Sequence, residues 1–453
     1  MARTHPQSGT AAASPESFLE CLRYFLTPQV WKQVHQALDR HCGWRWLPQA
    51  LIFVALTMTW CWGESEAERF ETARVFYVAC YQKRRRPGQT IEGFQKALAR
   101  VPLAALRVVA QAVRARLQQV FADRLRVDGF IPLGCDGSRL ACPRSQELEQ
   151  RLGMSSRDAS SPQVWVTALV HLSTGLLWAW RLGKGRASER DHLVRLLPTL
   201  PRSALLVADA GYVGYALLQT LLHRRIAFLI RLSSSARLCP VKPQPRSCWR
   251  DSEAYYWPQW AEKDQPPLRV RVLCIRGRKT DVWLMTNVYD PIQLSLRSAS
   301  RFYRWRWRNE GLFRTYKRTL GKVKLMSRTV AMVHREAEGS LLAVQLLLAQ
   351  GVLALPDCCQ ARSAVPSARQ VLLTIRGEIR NQTGMYLGPR QQLTYRQRLR
   401  RARLDLRRRR WSKVRRPWPG RADHRPPRPP RILKMGSATK ERLAKRLAEA
   451  KAG

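Results

Sequence analysis

The chain has 453 residues, room for roughly two or three domains around a large core. Lys and Arg number 80 against 32 Asp and Glu, and the net charge of +48 points to a polyanionic partner, nucleic acid first. Eleven cysteines without a CxxC pair and eight unclustered histidines, His171 and His192 among them, exclude a zinc framework and predict reduced core thiols.

Residues 1–16 are polar and carry no apolar signal core. The longest apolar run, 50–62, is too short to cross a bilayer and reads as a buried helix. A cytoplasmic, nucleoid-associated protein without a membrane contact is expected. From 16 to about 125 the pattern is helical throughout, with apolar-periodic stretches at 50–62, 67–81, 91–99 and 103–121. The basic loop from Lys83 to Gly88 is solvated or grips phosphate.

The pattern changes after Gly129. An apolar run at 131–135 leads into Asp136. Strand candidates at 164–172 and 176–182 are joined by Ser173-Thr174-Gly175. A helix at 189–200, a buried strand at 204–208 ending at Asp209, a helix at 212–224 and a strand at 226–232 follow. This order fits a mixed sheet with helices against it. A Pro-, Trp- and Arg-rich stretch at about 236–285, with strand-like 269–275 and 282–285, reads as a β insertion. Helices are expected around Glu310, at 335–355 and at 367–380.

Beyond Pro389 the chain is dominated by Arg and Pro. Residues 390–434 hold 18 basic and 2 acidic side chains, and this stretch is expected to be a largely disordered basic tail, with a short charged helix at 438–451. The expected organisation is a helical, DNA-binding domain over 1–125, an α/β catalytic domain over 126–388 and the tail over 389–453.

The most specific local pattern is Tyr303, Arg306, Glu310 and Lys317. At 100° per residue they fall at about 0°, 300°, 340° and 320°, one narrow helix face. A lone carboxylate ringed by Tyr, Arg and Lys suits a metal ligand with phosphate grips around it. The plainer reading is an amphipathic helix whose Glu310 pairs with Arg306 or Arg314. Asp136 and Asp209, each closing a strand, are turn or cap residues when taken singly. Together with Glu310 on a crossing helix they could share Mg²⁺ or Mn²⁺, two ions about 3.5–4 Å apart, as in phosphoryl transfer.

These residues carry a family resemblance over roughly 136–355. The layout resembles bacterial insertion-sequence transposases of the DDE class, the group with a Y-x2-R-x3-E-x6-K signature. Asp136 lies in Leu133-Gly134-Cys135-Asp136-Gly137-Ser138, like the family's first Asp, and Asp209-Ala210-Gly211-Tyr212 is similar to its D-x-G turn. Thr286-Asn287 looks like its strand exit before the Glu helix. Gly214 stands where the family often has Phe. The resemblance implies a ribonuclease-H-like fold with a β insertion. It implies a catalytic, metal-holding triad of Asp136, Asp209 and Glu310, with Tyr303, Arg306 and Lys317 on DNA phosphates. It also implies a homodimer on double-stranded DNA in a synaptic complex, cutting element ends and joining the 3′-hydroxyl to target DNA. Trp249, Trp257, Trp260 and Trp283 of the insertion are candidates to stack on an unpaired base. The alternatives are a ribonuclease-H-like nuclease without strand transfer and a domesticated DNA-binding protein.

Overall fold

The computed structural model describes residues 15–38, 45–154, 161–242, 245, 249–277, 280–355, 364–384, 393–401, 428–433 and 436–452. Seven helices come first: α1 (Phe18–Phe25), α2 (Pro28–Gln36), α3 (Pro48–Trp60), α4 (Glu66–Cys80), α5 (Ile91–Arg100), α6 (Leu103–Val120) and α7 (Ala122–Leu125). Their starts are written locally. Ser17 and Glu20 form a capping box, Ser65 and Thr90 cap by side chain, and Pro28 and Pro48 sit in first turns. As expected, α3 is buried on nearly every side, and its Trp60 indole donates to Ala343 O at 3.2 Å.

The sheet region follows: β1 (Ile131–Ala141), α8 (Gln146–Arg151), β2 (Gln163–His171), β3 (Leu177–Lys184), α9 (Glu189–Leu196), β4 (Ala204–Ala208), α10 (Tyr215–His223) and β5 (Ala227–Arg231). Next come β6 (Arg237–Pro240), β7 (Asp251–Tyr256), β8 (Leu268–Ile275), β9 (Val282–Thr286), α11 (Leu296–Trp305), α12 (Trp307–Arg314) and α13 (Val330–Leu353). The last elements are α14 (Ala368–Gln382), α15 (Tyr395–Arg400), β10 (Arg431–Ile432) and α16 (Ser437–Ala452).

All ten strands form one sheet in the order β10-β6-β7-β8-β9-β5-β4-β1-β2-β3. The centre β1-β4-β5 is parallel, and β2 and β9 flank it antiparallel. A mixed sheet with helices against it and a helical N-terminal region is what the sequence predicts. The insertion is indeed β, but β6 to β9 prolong the central sheet edge rather than standing apart. Asn287 secures that join: it accepts from Phe228 N at 3.0 Å and donates to Ile226 O at 2.9 Å.

The two sheet faces bury different partners. One continuous core joins α1–α7, α13 and α14 to Leu133, Cys135, Leu206 and Ala208. The opposite face buries Leu205, Val207 and Leu229 under Phe302 and Ala299 of α11. The period-two alternation of strands assigns the two residue sets to the two faces.

Beyond Pro389 the expectation of a largely disordered tail does not hold for the described parts. Tyr395 of α15 is buried, hydrogen-bonds Gln350 Oε1 at 2.7 Å and packs edge-on against Phe18. β10 pairs parallel with β6, and α16 forms where a charged helix is predicted. Tyr395, Ile432 and Leu443 supply the apolar contacts that a purely Arg/Pro composition would lack. The Arg/Pro-richest part, 402–427, lies outside the described residues.

Candidate active site

Asp136 and Asp209 are set by strand register. The parallel ladder of β1 with β4 ends at Gly134 opposite Val207, so each Asp lies two residues past the same pair. Both therefore project from the face that carries Val207, at the carboxyl end of the parallel strands, where α/β sheets collect their sites. Asp209 ends β4 as predicted and caps the short turn after it, accepting from Gly211 N at 2.9 Å. Asp136 differs from expectation: β1 runs on to Ala141. Antiparallel pairing with β2 sustains the strand after β4 has turned away.

Glu310 arrives on α12. Gly134 makes the close approach possible, because a Cβ there would lie 2.8 Å from the Asn309 amide and 2.6 Å from Leu172 Cδ2. Arg308 fixes the other side of α12 by donating to the carbonyls of Leu172 and Ser173. Among the described residues Glu310 makes no ion pair, so the plainer reading of a Glu310 pair with Arg306 or Arg314 is absent.

The single helix expected through 303–317 is broken. α11 ends at Trp305, and Arg306 and Asn309 donate to carbonyls three residues back. A π turn then occupies Thr315–Thr319, a distortion that often marks functional sites. The four signature residues consequently do not share one surface stripe. Tyr303 and Arg306 are each only 8% exposed. Tyr303 joins the apolar cluster under α11, while an Arg306 terminal nitrogen stands 4.0 Å from Asp136 Oδ2. Lys317 is half-buried, and burial lowers its pKa.

Charge is poorly balanced here. Burial raises Asp136 to about 6, with Asp209 and Glu310 adding to the rise against the opposing pull of Gly137 N–H and Arg306. Two buried groups near it carry unpaired atoms. Asn309 is 0% exposed with both amide atoms unpaired, and Arg306 Nε is also unpaired. Among the described residues no three His, Cys, Asp or Glu side chains are gathered tightly enough to hold an ion as they stand.

Sequence reasoning missed Glu189. It opens α9 behind its cap Ser188, and burial first, then Asp136 and Asp209, raise its pKa. Ser188-Glu189-x-Asp191 reads as an ordinary helix start, so only the fold reveals where the Glu points. The Gly214 departure is also explained: a Cβ there would lie 2.8 Å from the Arg190 guanidinium, whose Nε donates to Gly211 O at 3.0 Å. Arg190 fills the space that a larger side chain at 214 would take.

Of the insertion tryptophans, Trp249, Trp257 and Trp283 are buried in the core and present no face to a base. Trp260 is 65% exposed and rests edge-on against Tyr215 at 5.7 Å. His171 and His192 are packing residues: His171 bonds Thr174 Oγ1 and Leu125 O, and His192 bonds Thr167 Oγ1. The described cysteines are free thiols, nearly all buried. No helix of the described residues is long and apolar enough to cross a membrane.

The family model for the transposase DDE domain matches residues 135–346. Its span starts beside Asp136 and contains Asp209, Glu310 and the whole insertion. No curated protein matches the sequence. One similar solved structure is a piggyBac transposase synaptic complex with hairpin DNA, at 10% identity and a TM-score of 0.38 over 83% of each chain. That likeness is too distant to carry a residue assignment. With the family match spanning both Asp-bearing strands and the Glu-bearing helix, residues 135–346 are a transposase DDE domain, similar to that of insertion-sequence transposases.

Proposed function

We propose that the chain cuts DNA at the ends of a transposable element and joins the freed 3′-hydroxyl to target DNA, with Asp136, Asp209 and Glu310 as its metal-holding triad. The observation that carries the reading is the register of β1 and β4, with both Asp side chains on the face that α12 approaches. The donor set is all carboxylate, which suits Mg²⁺ or Mn²⁺, and a pair of ions is expected. A buried Asp136 raised to about 6 among other carboxylates is a site short of positive charge. When bound, such ions supply Lewis-acid activation of a nucleophile and stabilise the leaving oxygen.

The chain's own residues do the rest. Arg306 faces Asp136 and offsets part of the acidic charge. Tyr303 and Arg306 are buried, so they would meet only a phosphate that enters the site itself. Lys317, half-exposed within the π turn, grips the flanking backbone. Trp260 is the insertion tryptophan open to stack on an unpaired base. A homodimer would hold two element ends in one synaptic complex.

Glu310→Gln tests the triad. It keeps the shape of the side chain and removes the charge, so cleavage in Mg²⁺ should vanish while DNA binding persists. A variant that cuts at the wild-type rate would remove Glu310 from the reaction. Joining of a pre-cut end to a plasmid separates a transposase from a nuclease that stops at cleavage.

A further inference from the structure

We infer that the helical N-terminal region carries a pocket for one unstacked DNA base, with the basic loop after α4 holding the phosphates beside it. This rests on the reading that the chain works on DNA. It adds a contact made by α1 to α4 rather than by the elements that bear the carboxylates or the insertion.

The pocket forms where four helices meet. α1 ends at Phe25 and α2 restarts at Pro28, and the two helices contribute Arg23 and Trp31. Phe53 comes from α3, Tyr77 from α4 and Tyr81 from the residue that closes α4. Together they line a cavity of about 260 Å³. That is just below the usual span of small-ligand sites, about 300–1,000 Å³, and suits one flat ring system rather than a whole cofactor.

The lining has the two properties that a base requires. Its walls are aromatic. The Phe53 ring stands edge-on to Tyr77 at 5.4 Å and to Tyr81 at 5.6 Å, and Trp31 is only half-buried, which leaves part of its ring uncovered. Its polar groups sit among those rings. Tyr77 is 2% exposed, and its buried hydroxyl has no hydrogen-bond partner. Arg84 is the cation beside it and bonds Gln49 Oε1 instead. A buried hydroxyl left unpaired is costly, and the donors and acceptors along a base edge would pair it. An aliphatic ligand would fill the space and leave the hydroxyl as it is.

Charge selects among ring-shaped ligands. Among the described residues no Asp or Glu lines the cavity. Arg23 and Arg84 are both exposed, with their guanidinium carbons 5.9 and 5.0 Å from the Tyr81 ring centre. Lys83, Arg85 and Arg86 extend this positive border as an exposed run. An aromatic recess bordered by cations is how proteins hold unpaired nucleic acid: the rings stack the base and the cations follow the backbone.

The test is binding of the full-length protein, in EDTA, to three duplexes of one sequence: fully paired, with one bulged 2-aminopurine, and with an abasic nucleotide in the bulge. Wild type should bind the bulged base about 10-fold more tightly than the abasic bulge and quench its fluorescence. Trp31→Ala and Tyr81→Ala, both at half-buried positions, should abolish that preference and leave paired-duplex binding unchanged. Tyr77→Phe should lower the preference about 3-fold yet melt at or above the wild-type temperature, because it removes only an unpaired hydroxyl. Arg84→Ala should weaken binding of all three duplexes and reduce the salt slope by about one unit. Equal binding of the bulged base and the abasic bulge by wild type overturns the proposal. So does a preference that survives Trp31→Ala and Tyr81→Ala but is lost in Trp260→Ala, which places the base at the insertion. Displacement of the bulged duplex by an equal concentration of free deoxyadenosine monophosphate would make this a nucleotide site and overturn the DNA assignment. A wild type that binds none of the three duplexes overturns the DNA reading itself. With no metal present, failure of the carboxylate triad would move none of these outcomes.

Discussion

Replacing Asp136 by Asn should stabilise the metal-free protein at neutral pH, the reverse of the usual result for a buried polar substitution. Burial raises the Asp136 carboxyl to about 6, against about 3.9 for an Asp in an unfolded chain. A raised pKa means the folded state prefers the neutral acid. That contribution is complete below about pH 4 and is lost as pH rises through about 6. The ionised group is then disfavoured by roughly 2 units, on the order of 3 kcal/mol. The side chain is 21% exposed, so solvent screening removes only part of this. Asn is close in shape and carries no charge, and the attraction of Arg306 at 4.0 Å is already contained in the raised value, so only solvent screening reduces the gain. The net gain should be about 2 kcal/mol at pH 8 and near zero at pH 4. Urea unfolding in EDTA at the two pH values measures it. Adding Mn²⁺ at pH 8 should then raise the midpoint of the wild type and leave that of the variant unchanged. Parallel pH profiles for the two proteins, or a variant less stable at pH 8, would refute the reasoning.

Lys317→Ala should weaken binding to all DNA sequences alike and reduce the slope of log affinity against log salt by about one unit. Arg306→Ala should leave that slope unchanged, because its guanidinium is buried against Asp136, yet cleavage should fall; a titration series in NaCl with a parallel cleavage assay distinguishes the two. Gly134→Ala places a Cβ 2.6–2.8 Å from Leu172 and Asn309, and overpacking of this kind destabilises by about 1–3 kcal/mol. Because α12 must give way, cleavage should drop more than DNA affinity does, and equal losses in both would contradict the link between Gly134 and the Glu310 helix.

The acidic positions were legible in the sequence for a physical reason. A buried apolar strand that stops at an Asp has few explanations, and 204–208 followed by Asp209 matches the structure residue for residue. The apolar run at 131–135 predicts a strand that stops at Asp136, whereas pairing with β2 carries β1 on through Gly137 and Ser138. The break at Arg306 was invisible: no Pro or Gly marks it, and contacts from Asn309 to β1 and from Arg308 to the β2–β3 turn bend the helix. Glu189 was hidden for the same reason, since its helix start is ordinary and only the register of other strands brings it beside Asp136. The tail misled through composition, because a few apolar residues within an Arg-rich stretch suffice to dock a helix and a strand.

The short strand β10 has a consequence for how the protein is made. β6 is a sheet edge until Arg431 and Leu433 bond Ala236 O and Leu238 O, so its open side stays exposed while the ribosome completes everything in between. Exposed edges are templates for pairing between chains. The late arrival of β10, with α16 behind it and Arg442 3.7 Å from Glu262, closes that side last. A premature stop just short of Arg428 would spare the triad and still leave the nascent sheet open to neighbouring copies. Loss of this transposase through such a mutation would therefore show first as insoluble protein in the cell, before any defect in chemistry could be measured.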